Sequence, residues 1–324
     1  MKTKTILFAV SLLSSLAYAG GLQAQEVNLK AAFFLSGKST TRQAFDRFVA
    51  YVNKHGAGKI KIGSVNGPEA IPSRQMGNAL KNGIVDIAGF PPSYIANLVP
   101  GVQGLSAPTV SVGEQHKNGT YDLLTRIFKQ RANAYPLAQL DNAGKFYIFM
   151  NKPIKSVDDL KGMRMRTSNT YRAFLQAAGA LPVNTSIGEI YTALQRGVVD
   201  GYVNVPSTAV DFGWAKVTKY RVEPGFYSVT TIILVNRKTW DALNAEQKAV
   251  LTAAGKAYES EISDWLRKGE YAAMKKLEAE GIKTIKLSEA EGAKLTKLAY
   301  TASWNEIVKR APDFGPQLRK LLYH

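Results

Sequence analysis

The chain has 324 residues, enough for two domains, and its 45% apolar and 21% charged residues are typical of a soluble globular protein. The formal net charge of +17 is spread among acidic residues without an arginine-rich arm, which argues against a nucleic-acid partner. It favours an anionic ligand or partner, although a generally basic solvated surface also accounts for it. The chain has no cysteine, which excludes disulfides, a lipid-anchoring cysteine and thiolate chemistry.

The N-terminus has the pattern of a secretory signal peptide. Basic "MKTKT" precedes an almost purely apolar run over 6–19, and small residues offer cleavage sites up to Ala24. The run is too short to span a bilayer comfortably. We expect residues 1–24 to be removed, which takes away Lys2 and Lys4 and leaves a formal charge of +15. The sequence predicts a free periplasmic protein of a Gram-negative cell.

Alternating strands and helices fill the first half of the mature chain. "LKAAFF" and "KIKIGSV" are predicted strands. "TTRQAFDRFVAYVNK" is an amphipathic helix that Ser39 or Thr40 can cap and Gly56 can end. A second helix is expected in "PEAIPSRQMGNALKNG". This order predicts a parallel or mixed sheet covered by helices.

Two segments resemble each other: "NALKNGIVDIAGF" over 78–90 and "TALQRGVVDGYVN" over 192–204. In each, a helix is expected to end at a left-handed glycine, Gly83 or Gly197, before a short buried strand. The repeat indicates two lobes of similar construction, unless it is a coincidence between two common turns. The matching positions of Asp86 and Asp200 favour a structural role over acid–base chemistry.

Two arginines lie one residue apart in "MRMRT", where apolar and charged residues alternate as in a strand. Arg164 and Arg166 would then share one face of that strand. The local pattern leaves open whether one of them binds a ligand or both are ordinary surface charges.

The last third predicts an unusually long helix. Residues 245–281 contain no proline, Asn244 and Gln247 form a capping box, and apolar residues recur at helical spacing. Such a helix is about 50 Å long. It therefore either bridges both lobes or breaks near Gly269. Tyr258 and Trp265 are expected to be core residues.

Catalytic motifs are missing. The three histidines, His55, His116 and His324, are far apart, and the sequence has neither a nucleophile elbow nor a phosphate-binding loop. We therefore predict no catalytic residues, no metal site and no cofactor.

Several separated motifs resemble one family. "DLKGMRMRT" and "AAGALPVNTSIGEIYTALQRGVVDGYVN" follow its Asp-Leu-Lys-Gly, Lys-x-Arg, Gly-Ala-x-Pro-Val and Val-Asp-Gly pattern, and "GPEAIPSRQ" and "KNGIVDI" resemble its first-lobe counterparts. The mature chain thus resembles the substrate-binding proteins of tripartite ATP-independent periplasmic (TRAP) transporters, of the dicarboxylate-binding (DctP) type. The resemblance implies an α/β periplasmic-binding-protein fold, with lobe I over 25–145 and 230–268 and lobe II over 146–229 and 269–324.

The resemblance also implies site residues. Arg166 falls on the family's carboxylate-binding arginine, whereas Arg164 falls on a variable lysine position. The position in the strand favours the same residue, because Arg166 is nearer the carboxyl end, where open α/β sheets bind ligands. The other positions at which family members contact the ligand or line the cleft are Asn204, Phe34, Phe90, Pro91, Phe146 and Ile187.

Relatives that bind acidic sugars have an arginine where this chain has Phe146, a phenylalanine at Ile187 and a polar residue at Phe34. We therefore expect an organic monocarboxylate with an apolar or aromatic tail, delivered to the small and large membrane subunits of a TRAP transporter. The alternatives are a bilobal enzyme acting on a carboxylate and a transcriptional effector domain, which the signal peptide disfavours.

Overall fold

The computed structural model describes residues 26–324, so the expected signal peptide lies outside the described residues. Two mixed sheets, each covered by helices, form the predicted two-lobed α/β architecture. In chain order the strands are β1 (Val27–Phe33), β2 (Ile60–Asn66), β3 (Ile87–Phe90), β4 (Ala134–Gln139), β5 (Phe146–Met150), β6 (Arg164–Thr167), β7 (Leu181–Asn184), β8 (Gly201–Asn204), β9 (Tyr220–Phe226), β10 (Ile232–Asn236) and β11 (Lys283–Lys286).

Helices connect these strands and cover both sheets. In chain order they are α1 (Thr40–His55), α2 (Met76–Lys81), α3 (Val112–Lys117), α4 (Thr120–Ala132), α5 (Arg172–Ala177), α6 (Ile190–Gln195), α7 (Pro206–Asp211), α8 (Arg237–Ala242), α9 (Ala245–Ala257), α10 (Ser263–Ala279), α11 (Glu289–Arg310) and α12 (Gly315–Leu322). Within residues 26–324, none of the helices combines the length and apolar character that crossing a membrane requires.

The first sheet has the order β2-β1-β3-β10-β4 and the second β11-β9-β5-β8-β6-β7. In the first, β1 is parallel to β2 and β3, and β10 runs antiparallel to its neighbours. In the second, β6 is parallel to β7 and β8, and β5 is antiparallel to β8 and β9. We call the part built on the first sheet lobe I and the part built on the second lobe II.

Helix α1 shows how sequence pattern sets a local structure. Its apolar face buries Ala44, Phe45, Phe48 and Val52, which lie one turn or less apart on one side. The Ser39 hydroxyl accepts a hydrogen bond from the backbone N–H of the third helical residue and caps the helix as expected.

The two repeated segments adopt the same backbone. Gly83 (φ +72°) follows α2 and Gly197 (φ +64°) follows α6, both in the left-handed region that ends a helix. The buried strands β3 and β8 come a few residues later. The predicted helix–glycine–strand repeat is therefore present in both lobes.

The repeat extends to the aspartates. Asp86 exchanges two bonds with Lys30: its N–H donates to the Lys30 carbonyl (2.7 Å) and its carboxylate accepts from the Lys30 N–H (2.9 Å). Asp200 makes the same pair of bonds with Arg164, at 2.7 and 2.8 Å. Each aspartate thus ties a central strand to its parallel neighbour, which is the structural role the sequence favoured.

The long helix is continuous from Ala245 to Ala279 but contains a π-helical stretch at Tyr258–Ile262. A break near Gly269 is the wrong alternative, because Gly269 lies inside the regular α10. The π stretch inserts an extra residue into the turn, and the Tyr258 carbonyl accepts a bond from the Ser263 hydroxyl there (2.8 Å). Since α10 packs against α1 in lobe I and α7 in lobe II, the helix bridges both lobes.

Every strand lies in the lobe that the expected division assigns to it. The C-terminal end differs, because α12 packs against α4 of lobe I. Asp313 pairs with Arg131 (2.5 Å), and the Leu322 carbonyl accepts from the Thr109 N–H (2.8 Å). The lobe borders themselves stay a prediction.

Candidate functional site

A cavity lies between the lobes, where the chain leaves the carboxyl ends of β1, β3, β6 and β8. This is the edge at which open α/β sheets bind ligands. Its volume is about 70 Å³. A cavity of this size suits a small molecule.

Arg166, the third residue of β6, reaches this cavity and is only 3% exposed. Its Nε and Nη2 groups donate to the Thr185 carbonyl (3.3 and 3.2 Å), and its Nη1 donates to the Tyr171 hydroxyl (2.5 Å). A guanidinium has five N–H donors. These three bonds therefore leave two donors, the number that grips one carboxylate.

No acidic side chain of the described residues pairs with Arg166, and it is the only charged residue that lines the cavity. The other buried arginine, Arg221, is also 3% exposed, but it forms ion pairs with Glu223 (2.7 Å) and Glu278 (3.0 Å). Burying an unpaired cation is costly. The cavity therefore contains a buried positive charge that an anion could neutralise.

Arg164 differs from Arg166 in every respect that matters for binding. Its side chain is 47% exposed and donates to the Asp200 carboxylate at 2.9 and 3.2 Å. The Arg164 guanidinium lowers the pKa of Asp200. Arg164 lies at the amino end of β6 and does not line the cavity.

Asn204 ends β8 and lines the cavity, with 8% of its surface exposed. Its Oδ1 accepts a hydrogen bond from the Val205 N–H (2.8 Å). The amide NH₂ group is thereby left to donate into the cavity, where an oxygen of a ligand could accept.

Two tyrosines that sequence analysis missed adjoin Arg166. Tyr171 accepts its Nη1 bond, and Tyr94 reaches the same cavity from lobe I, edge-on to Phe34 with ring centroids 5.5 Å apart. Burial raises the pKa of Tyr94, and the nearby Arg166 charge partly opposes this rise. Tyr94 lies four residues after β3, in the loop that follows one of the two repeated strands. That position was a sequence signal that could have identified it as a cavity residue.

Six of the seven expected site residues line the cavity, and Phe90 does not. Phe90 is the last residue of β3, fully buried and paired with Ile232 of β10. Neighbouring residues at a strand end face opposite sides, so Phe90 packs into the core while Pro91 borders the cavity. The six are Arg166, Asn204, Phe34, Pro91, Phe146 and Ile187.

Many lining residues carry hydroxyl groups, and none of these residues was among the expected site residues. Just over half of the lining residues carry one, and they come from both lobes and from the segment before β10 that connects them. They are Thr41, Ser93, Tyr94, Ser106, Ser168, Thr170, Tyr171, Thr208, Thr230 and Thr231. The wall thus combines apolar surface with many neutral hydrogen-bonding groups.

A larger hollow of about 910 Å³ lies between β9, β11, α11 and the C-terminus. Its charged residues, such as Lys286 and Glu289, are on the solvent-facing surface. Size alone does not identify a ligand site, and the buried unpaired cation favours the smaller cavity.

Comparison with known proteins identifies the family of the chain. Residues 32–310 match the family model DctP, described as bacterial extracellular solute-binding protein, family 7. A solute-binding protein of Verminephrobacter eiseniae is 27% identical over 220 residues, which cover 65% of each chain. The C4-dicarboxylate-binding periplasmic protein DctP of Rhodobacter capsulatus is 34% identical over 120 residues, or 36% of each chain. These alignments span less than two thirds of the relatives' length.

Solved structures share the fold over nearly the whole chain. DctP7 of Bordetella pertussis, an extracytoplasmic solute receptor that binds pyroglutamic acid, has a TM-score of 0.79 at 21% identity and covers 91% of this chain and 99% of its own. A TRAP periplasmic solute-binding protein from Desulfovibrio salexigens with bound orotic acid has a TM-score of 0.80 at 21% identity, covering 91% and 96%.

Proposed function

The chain belongs to the DctP family of bacterial extracellular solute-binding proteins, family 7, and on this premise we propose that it captures a small organic monocarboxylate for a TRAP transporter. The family consists of transport receptors, so the protein is a solute-binding protein and not an enzyme. The proposed partners are the small and large membrane subunits of the transporter.

The buried, unpaired guanidinium of Arg166 carries this proposal. Two of its donors remain for one carboxylate, and the Asn204 amide supplies a further donor for a second ligand oxygen, such as that of a 2-oxo or 2-hydroxy acid. A second carboxylate would face no second cation among the lining residues. Its burial would cost several kcal/mol, which disfavours short dicarboxylates.

The rest of the cavity fits a ligand body that is apolar or aromatic with neutral polar atoms at its edge. Phe34, Phe146 and Ile187 provide apolar walls, which gain about 25 cal/mol for each Å² of apolar surface buried. The surrounding hydroxyls can bond to neutral oxygen or nitrogen atoms.

The ligands of two structural neighbours have this chemistry. Pyroglutamic acid and orotic acid each carry a single carboxylate on a ring with neutral amide groups. The Rhodobacter relative binds C4-dicarboxylates, and its alignment covers only 36% of this chain. Other solved neighbours contain the sugar acids L-galactonate and β-D-glucuronate, so the lining of the cavity is the reason that we favour a ring-bearing or branched monocarboxylate over succinate and over sugar acids.

A thermal-shift screen followed by calorimetry tests this proposal. The panel contains pyroglutamate, orotate, picolinate and a branched 2-oxo acid, with succinate and sialic acid as contrasting compounds. A ligand present at 100 times its dissociation constant adds about 2.7 kcal/mol of stability. Micromolar binding of succinate or sialic acid, with no response to any monocarboxylate, would contradict the proposal.

We also propose that the mature protein begins near Gln25 and works in the periplasm, because the first 24 residues have the basic, apolar and small-residue pattern of a signal peptide. N-terminal sequencing of the periplasmic fraction tests it, and an intact Met1 would refute it.

A further inference from the structure

Glu270 is a buried carboxylate to which ligand capture assigns no role. It lies in α10, is 4% exposed and does not line the cavity. One oxygen accepts from the Ser207 N–H (2.9 Å) and the other from the Ser207 hydroxyl. No basic side chain of the described residues forms an ion pair with it. Burying a carboxylate without a counter-charge costs free energy. The contacts that it makes in return indicate its role.

Ser207 is only three residues from Asn204. Between them stand Val205, whose N–H donates to the Asn204 amide oxygen (2.8 Å), and Pro206, whose ring fixes its φ angle. The segment therefore has few freely rotating bonds. Fixing Ser207 at one end and the β8 ladder at the other therefore restrains the backbone that carries the Asn204 side chain.

The same short segment supplies three cavity-lining residues, Asn204, Val205 and Thr208. Thr208 follows directly after the residue that Glu270 holds. A shift at Ser207 would therefore move several groups that face the ligand.

Glu270 packs against Gly144, in the segment that connects β4 of lobe I to β5 of lobe II. A Cβ atom added at Gly144 would lie 2.9 Å from the Glu270 Cγ, closer than real Cβ contacts allow. Glu270 is thus packed between the crossing segment at Gly144 and the start of α7. Any residue larger than glycine at position 144 would displace it.

We propose that Glu270 is a positioning residue that holds residues 204–208 in place, so that the Asn204 amide donates into the ligand cavity. The inference rests on the proposed function only in that it takes Asn204 as a ligand contact. The contacts that connect α10 to the Asn204 segment are present without ligand.

The connection between Glu270 and the Asn204 segment should depend on whether Glu270 is protonated. Burial raises the pKa of Glu270 to about 7, although the bonds from Ser207 act to lower it, and the Asp211 charge raises it further. Tyr147 of β5 is the other titratable group that interacts with this carboxylate. Loss of the Glu270 proton strengthens its bonds to the Ser207 donors, so the environment of Asn204 should change with pH near neutrality.

Nuclear magnetic resonance of the ligand-free full chain tests this directly. The protein is labelled with ¹⁵N-asparagine, and the Asn204 side-chain amide is assigned from the signal lost in Asn204→Ser. In the wild type this signal should shift with pH, with a midpoint near the Glu270 pKa of about 7. In Glu270→Gln, which keeps an acceptor for Ser207 but cannot titrate, the signal should persist and stop responding to pH.

Two further variants separate positioning from general packing. Asp211→Asn should retain the titration but lower its midpoint, because the Glu270 carboxylate remains while the Asp211 charge that raises its pKa is removed. Gly144→Ala should shift the Asn204 signal while all titratable groups remain, because the added methyl group meets Glu270.

The proposal is overturned if the titration survives in Glu270→Gln, or if Gly144→Ala leaves the Asn204 signal in its wild-type position while circular dichroism shows an intact fold. Since every measurement is made without ligand, failure of all carboxylate probes to bind would refute the proposed function and leave this test valid.

Discussion

Thr40 and Asp211 meet across the cleft. The Thr40 N–H donates to one oxygen of the Asp211 carboxylate (2.7 Å) and the Thr40 hydroxyl donates to the other (2.9 Å). Thr40 begins α1 in lobe I and Asp211 ends α7 in lobe II, so the negative charge also faces the positive end of the α1 dipole. Another cross-lobe bond joins Arg74 to Asn184 (3.0 Å). The structure therefore shows lobes in contact.

Asp211→Ala should weaken ligand binding without touching the ligand. It removes two cross-lobe bonds and so lowers the population of the closed form, and the apparent affinity falls in proportion to that population. For two bonds worth about 1 kcal/mol each, we expect a loss of tenfold or more by calorimetry. Small-angle scattering should show a larger radius for the ligand-free variant than for the wild type.

Asp241→Ala is the matched control, because Asp241 pairs with Arg237 on an exposed helix surface within lobe I. It should change neither affinity nor radius. Equal affinities of Asp211→Ala and the wild type would show that the contact does not contribute to closure.

Arg166→Ala should cost roughly 2–5 kcal/mol of binding free energy, since it removes a buried cation from a desolvated carboxylate. Arg166→Lys should also bind poorly, because an ammonium cannot form two parallel hydrogen bonds to a carboxylate. Arg164→Ala should cost less than about 1 kcal/mol, the usual value of an exposed pair. Calorimetry with the best compound of the screen measures all three, and equal losses at the two arginines would contradict the site.

Gly269→Ala should stabilise the protein by about 0.5–1 kcal/mol, because glycine in a helix interior is less favourable than alanine. There is space for the methyl group, whose nearest neighbour would be the Thr40 Cγ2 at 3.6 Å. Urea unfolding measures the gain. Gly201→Ala is the contrasting variant, because its Cβ would lie 2.4 Å from the Phe149 carbonyl oxygen. It should be clearly destabilised.

Glu270 should make the stability of the protein depend on pH. Its folded pKa of about 7 exceeds the ordinary value of 4.5, so the folded state binds more protons between these values. The free energy of unfolding should therefore fall as pH rises from about 4.5 to 7, by at most about 1.4 kcal/mol per pH unit from this group. Glu270→Gln should remove that slope in urea unfolding at several pH values. An unchanged slope would assign the dependence to other groups.

Much of the fold followed from the sequence because local patterns encode it. The apolar spacing of α1, the left-handed glycines at 83 and 197 and the alternation around Arg166 each act within a few residues of the chain. The family resemblance then singled out Arg166 from Arg164, and the structure shows the difference in burial between them.

Other features depended on residues far apart in the chain. The family resemblance implied that Phe90 is a cleft residue, yet its side chain packs into the core. Of the two alternatives for the long helix, the break near Gly269 is absent, and the irregularity is a π stretch at Tyr258–Ile262, where Glu259 accepts hydrogen bonds from Tyr121 and His116 of distant helices. Such partners are invisible to helical periodicity.

The sequence by itself therefore determined the class of fold and the repeated lobe design, and its family resemblance predicted which arginine binds the ligand. Only the tertiary structure decided that this arginine has two donors left, that hydroxyls surround it and that Glu270 holds the Asn204 segment. The physical reason is that helix and strand patterns are set by neighbours in the chain. Burial and the pairing of a charge are set by whichever side chains the folded chain brings to it.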